Sequence, residues 1–339
     1  MPHFYIFTCG TSLLENLTKT RPEVGARLSA VIPDKESLLS GSVEERWMGE
    51  SVNHHAPDAL WVLDHCSKMP ADDPGQTAEM TSFSKLPREE GDEFCLIASD
   101  TDKGVFCAAI NAWLMSGPDG QVCVREAPMS ELDEISLDWH WSQDNLHPSQ
   151  TKIATGKVIL LRVRELDPTI RERFERNGGA ARMIRTVADS IWYARSKRLD
   201  PVLVFTGGFK ASIPLLTQAV IWLGNTTMMC LYEGSRELVT IPTVRAEPSL
   251  LACRAVYAFN AQHIENLSQQ ELLRMDHSNK KDISNLSHDL QPFFQNSMDG
   301  QRIQLNLLGQ TLREVVNSEI NAQCVGSNYL GRLLGNNLR

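Results

Sequence analysis

The chain has 339 residues, 42% hydrophobic and 22% charged, enough to bury a sizeable core and, at this length, to divide into two domains. A formal net charge of -9 and a pI near 5.5 exclude the broad basic field of a protein that coats nucleic acid, while leaving room for a small anionic ligand in a local pocket. No apolar run approaches the roughly 20 residues of a bilayer span. Met1-Pro2-His3-Phe4-Tyr5 also lacks the basic-then-apolar order of a signal peptide, so a cytoplasmic protein with no membrane partner is expected.

His3 to Cys9 is an apolar, aromatic-rich run that stops at Gly10, the pattern of a buried strand entering a turn. Comparable runs predict strands over 94–98, 122–124, 157–163, 202–205, 228–232 and 238–241. Helices are expected between several of them, over 104–115, 180–196 and 213–223; the second carries Ile184, Val187, Ile191 and Trp192 at helical spacing. Strands alternating with helices imply parallel crossovers, and therefore an α/β fold with a doubly wound, Rossmann-like, mostly parallel sheet. The stretches 33–90 and 126–155 are polar and rich in Pro, Asp and Ser, and read as insertions with weak structural signals.

The pattern changes near Pro248. Residues 250–260, 268–275 and 282–294 look helical, Met298-Asp299-Gly300 forms an acidic turn into an extended 302–307, and Leu308-Gly309 opens a helix through Val316. Helices, a turn-and-strand wing and a further helix suggest a winged-helix-like module. The expected division is 1–245 and 246–339, with the last fifteen or so residues as a tail. The eight cysteines are scattered without a CxxC pair or a Cys-His cluster, so they read as reduced, mostly buried and not metal-bound.

Chemistry gathers at strand-to-helix turns. Thr8-Cys9-Gly10-Thr11-Ser12-Leu13-Leu14 directly follows the first strand, where open α/β sheets hold their ligands. Gly10 lets the backbone approach an anion, the helix start offers amides, and Thr11 and Ser12 add hydroxyls; the competing reading is that Thr11 or Ser12 simply caps the helix. This turn is neither GxGxxG nor a P-loop, so neither a dinucleotide nor an ATPase site is expected, and no cofactor is called for. Phe205-Thr206-Gly207-Gly208-Phe209-Lys210-Ala211 has the same setting, and a lysine at a helix start opposes the helix dipole unless an anion sits there; otherwise it is a tolerated surface charge. In Ser99-Asp100-Thr101 the side chains are suited equally to capping the next helix or to holding ribose hydroxyls. Asn177-Gly178-Gly179 opens another helix, whose Arg182 and Arg185 either face the same ligand or, as the favoured reading, are solvated.

Taken together, GTSLL after the first strand, SDTxxG, TGGFKA and a closing YEGS…IP resemble the CARF sensor domain of type III CRISPR systems over about residues 1–245. The size and the C-terminal module look most like the CRISPR-associated ring nucleases. That resemblance implies a homodimer that binds cyclic oligoadenylate, the tetra-adenylate foremost, and cleaves it without metal to linear di-adenylates ending in 2′,3′-cyclic phosphate, which would end antiviral signalling. The family's active serine and lysine fall on Ser12 and Lys210, with Gly10, Thr11, Leu13, Ser99, Asp100, Thr101, Thr206, Gly207, Gly208 and Phe209 as the expected ligand contacts. In-line placement of a 2′-hydroxyl and charge stabilisation suffice for such a cleavage.

Relatives in that family also carry ribonuclease effectors marked by an arginine and a histidine four to six residues apart. Arg274 and His277 stand too close for that pattern, and Arg46 and His54 too far apart. A ligand-controlled transcription factor is a second reading, but 290–307 contains only Arg302 as a base, which argues against DNA as a partner; a sensor that sequesters the ring without cutting it is a third.

Overall fold

A computed structural model describes residues 1–23, 26, 32, 62–63, 65–70, 73, 75–117, 120–126, 135–137, 157–167, 169–176, 178–206, 212–232, 237–258, 290–296 and 303–321. The first strand, β1 (His3–Thr8), lies at the centre of an eight-stranded sheet. The others are β2 (Glu93–Ala98), β3 (Gln121–Glu126), β4 (Ile135–Leu137), β5 (Lys157–Arg162), β6 (Asp200–Phe205), β7 (Thr227–Tyr232) and β8 (Glu237–Ile241). Their order is β4-β3-β5-β2-β1-β6-β7-β8, with β3 through β7 parallel and the two edge strands, β4 and β8, antiparallel. The mostly parallel α/β sheet expected from alternating strands and helices is therefore present.

Strands buried on both faces are continuous apolar runs, because each alternate side chain meets a different layer of helices. Tyr5 and Phe7 of β1 face a core shared with α1 (Ser12–Thr20), α2 (Ala78–Lys85) and α3 (Asp102–Ser116). Phe4 and Ile6 face the opposite core, shared with α4 (Gly179–Ser196), α5 (Ile213–Leu223), α6 (Leu250–Ala258) and α7 (Leu307–Asn321). The chain leaves β1 toward the first layer and β6 toward the second. The carboxyl ends of β1 and β6 consequently diverge, and this is the switch point at which an open sheet leaves a crevice.

The polar stretch 33–90 requires a correction. Its described end contains α2, whose Met80 and Phe83 are buried in the first core, together with Val62, Leu63, Cys66 and Met69. Phe83 packs edge-on against Phe94 at 5.2 Å and 78°. Thr77 caps the helix, accepting from the Met80 amide at 2.9 Å and donating to Asn111 Oδ1 of α3 at 2.6 Å. Alternating polar and apolar residues hide this helix in the sequence, since Thr81 and Ser82 are buried alongside the apolar ones. In the other polar stretch, 126–155, Ile135–Leu137 pairs with β3; the remainder lies outside the described residues.

Beyond β8, the helix expected over 282–294 is corrected at its described end. Gln291–Phe293 is a 3-10 turn, and Phe294 begins β9 (Phe294–Asn296), which pairs antiparallel with β10 (Ile303–Leu305). Pro292 inside the turn removes the amide that a longer helix needs. The helix after β10 is longer than expected, running on to Asn321. Leu312, Val315 and Val316 of α7 are buried in the same core as Ile184 and Val187 of α4, and Ser318 donates a short hydrogen bond to Asp189. The helix expected over 268–275, residues 259–260 and the tail lie outside the described residues.

Candidate functional site

Three turns meet at the carboxyl edge of the sheet, because β2, β1 and β6 are neighbours in register: Thr8 of β1 stands beside Ile97 on one side and Phe205 on the other. Parallel strands lie about 4.8 Å apart, so Gly10–Ser12, Ser99–Thr101 and Thr206 fall within roughly 10 Å across the edge. The sequence-predicted Gly207, Gly208, Phe209 and Lys210 lie outside the described residues.

A carboxylate joins the turns. Glu79, in the first turn of α2, is fully buried. Its Oε1 accepts from the Gly10 amide at 3.0 Å and from the Thr206 hydroxyl at 3.2 Å, and its Oε2 accepts from the Ser12 hydroxyl at 2.7 Å. The single Thr206 hydrogen is shared with the carbonyl of Thr8. Burying a carboxylate is unfavourable unless donors surround it, and these three supply them. Glu79 lies 67, 69 and 127 positions from its partners in the chain, so only the fold brings it to them. A glutamate two residues after a capping threonine was the one local sign of a helix start, and it says nothing of distant partners.

The turn after β1 differs from the simple capping alternative. Thr11 occupies the N-cap of α1 without a side-chain cap bond, its hydroxyl reaching Glu15 at 3.4 Å, and Ser12 points to Glu79. Neither hydroxyl caps the helix. Two expected contacts are corrected. Leu13 is fully buried, backbone included, in the first core with Leu17, one helical turn on, so it offers nothing at the edge. Gly10, expected as a ligand contact, has its amide taken by Glu79. Among the described residues the amides of Ser12 and Leu13 have no acceptor, as is normal at a helix start, but Leu13 is fully buried and only Ser12 is partly exposed.

The middle turn is built mainly for structure. Asp100 accepts from Arg162 Nε at 2.8 Å and from the Glu165 amide at 2.9 Å, tying β2 to the end of β5, and both charged side chains are buried. Thr101 caps α3 by accepting from the Gly104 amide at 3.0 Å and pairs with the Ser99 hydroxyl at 3.0 Å. A Cβ on Gly104 would stand 1.9 Å from Ser99 Oγ and 2.8 Å from Thr101 Oγ1, so a larger residue there would have to displace both hydroxyls. Gly178 and Gly179 are likewise structural: Gly178 has φ +82°, and a Cβ on Gly179 would meet the Glu165 carbonyl at 2.3 Å. Arg185 pairs with Asp189 on its own helix, and Arg182 reaches the Arg164 carbonyl.

Beside Glu79, burial and then the carboxylate's charge push the Cys9 thiol well above the ordinary thiol range, so it stays protonated, and Asn111 donates to its sulfur at 3.4 Å. All seven described cysteines are free thiols, six of them buried. A cavity of about 550 Å³ opens at the other end of the sheet, beside His3, Asp200 and Thr227 where the strands start. Three of its polar side chains are engaged: His3 with Asp92, Tyr5 with the Pro87 carbonyl, and Arg245 with Glu247. Among the described residues, no helix is long and apolar enough to cross a membrane. No protein-family model matches the chain, and no match is found among curated proteins.

Proposed function

We propose that this chain is a CARF-type ring nuclease, a homodimer that binds cyclic tetra-adenylate at the carboxyl edge of the sheet and cleaves it without metal to linear di-adenylates with 2′,3′-cyclic phosphate. Such an enzyme switches off type III CRISPR antiviral signalling and works in the cytoplasm. The observation that supports this most is the state of Ser12. It sits at the switch point, does not cap its own helix, and is held by Glu79, which also takes the hydroxyl of Thr206, four positions before Lys210 in the chain.

In this reading Ser12 contacts the reacting ribose, its free amide faces the phosphodiester, and Lys210 neutralises the charge that builds on phosphorus. A two-fold symmetric ring suits an isologous dimer in which each subunit supplies the same residues. The C-terminal hairpin β9–β10 with α7 is read as a winged-helix-like module that braces α4 instead of reading DNA. Among its described residues, Arg313 is already paired with Glu314 at 3.0 Å. A promoter mobility shift that appears only with the ring would favour transcriptional control instead.

The test is mass spectrometry of products after incubation of the purified protein with cyclic tetra- and hexa-adenylate in EDTA. Di-adenylates are expected from the tetra-adenylate, and Ser12→Ala and Lys210→Ala should each slow their release about 10- to 1000-fold. An intact ring after prolonged incubation at high protein concentration overturns the reading.

A further inference from the structure

A serine hydroxyl has one hydrogen and two lone pairs. At Ser12 the Ala78 amide, which only donates, occupies one lone pair at 3.2 Å, and the hydrogen is directed to Glu79 Oε2 at 2.7 Å. One lone pair is left, on a side chain that is half-buried and reaches the edge of the sheet. Glu79 itself donates nothing; each of its oxygens receives, from Gly10, Ser12 and Thr206. A phosphate oxygen is an acceptor too, and two acceptors facing each other repel.

We propose that Glu79 is the positioning residue of this site and sets its hydrogen-bond polarity: by taking the Ser12 hydrogen it leaves Ser12 Oγ as an acceptor, which receives a ribose 2′-hydroxyl of the ligand and not a phosphate oxygen. The proposal rests on the cyclic oligoadenylate reading. In the cleavage step the 2′-hydroxyl proton passes to Ser12 Oγ as the Ser12 hydrogen passes to Glu79 Oε2. O2′ bonds to phosphorus, the bond from phosphorus to O5′ breaks, and O5′ takes a proton from water. The hydroxide so formed takes the proton from Glu79, which restores the site with no other reactant.

Glu79→Gln tests this, since it keeps shape and Oε1 but puts an N–H where Ser12 needs an acceptor. Calorimetric titration with cyclic tetra-adenylate and with its all-2′-deoxy ring should show the wild type preferring the ribose ring about tenfold or more, the worth of one satisfied polar contact. Glu79→Gln should lose that preference, and Ser12→Ala, which leaves Glu79 in place, should lose it as well. Turnover should fall about 100-fold in Glu79→Gln and fall no further when Glu79→Gln is added to Ser12→Ala, because one acts through the other. A preserved ribose preference in either variant, or losses that multiply, overturns the proposal. A wild type that binds neither ring defeats the proposed function, and melting of ligand-free protein then decides Glu79 separately. There the double variant should lose less in Tm than the two single variants together; a purely additive loss refutes the pairing.

Discussion

Asp100 shows at residue scale how a side chain suited to ligand contact is taken up by the fold. Its pair with Arg162 is buried, and it also accepts the Glu165 amide, so it joins the ends of two strands. Removing one partner of a buried ion pair typically costs about 3–5 kcal/mol, because the other charge stays desolvated. Asp100→Ala is therefore expected to lower the unfolding free energy in urea by roughly that amount, while a loss under about 1 kcal/mol would contradict the buried pair. Ser12 stands in contrast on the same edge: it is half-buried, and its hydroxyl has two partners, Glu79 and the Ala78 amide.

At the scale of the element, α2 is short and is held by its ends. Thr77 closes its first turn and ties it to Asn111, and Asn16 of α1 donates to the Gln76 carbonyl at 2.8 Å just before it. A lost cap costs about 1–2 kcal/mol. Thr77→Ala should destabilise the protein by about that much, and should raise hydrogen exchange at Met80 and Thr81 more than at β1. Uniform exchange across both elements would show that α2 has no separate opening. Glu79 sits in that first turn, so the same variant loosens the carboxylate on which Ser12 depends.

For the whole molecule, the first core buries three thiols whose ionisation opposes folding. Burial pushes Cys66 from about 9.0 up to about 12, and burial followed by the charge of Glu79 raises Cys9 and Cys107 as well. Below the ordinary thiol value, folded and unfolded chains both hold these protons. Above it only the unfolded chain releases them, so it binds fewer protons and stability falls as pH rises from about 9 toward 12. The unfolding free energy should drop by about 1 kcal/mol per buried thiol between roughly pH 9 and pH 10. Cys66→Ala, compared in urea at the two pH values, should show a smaller drop than the wild type; an equal drop would assign the alkaline loss to other groups.

The sequence by itself determined the parallel strands, the helices between them and the glycine turn after the first strand, because apolar periodicity and glycine punctuation are local and survive without the fold. His3–Thr8 and Asp200–Phe205 read as buried strands from their own residues alone. Only the tertiary structure decided which strands are neighbours, that α2 lies in the core, that Asp100 and Thr101 are engaged within the scaffold, and that Ser12 is paired with Glu79. The reason is distance along the chain. Glu79 meets Ser12 and Thr206 across 67 and 127 positions, and a buried carboxylate leaves no local mark on the residues that satisfy it.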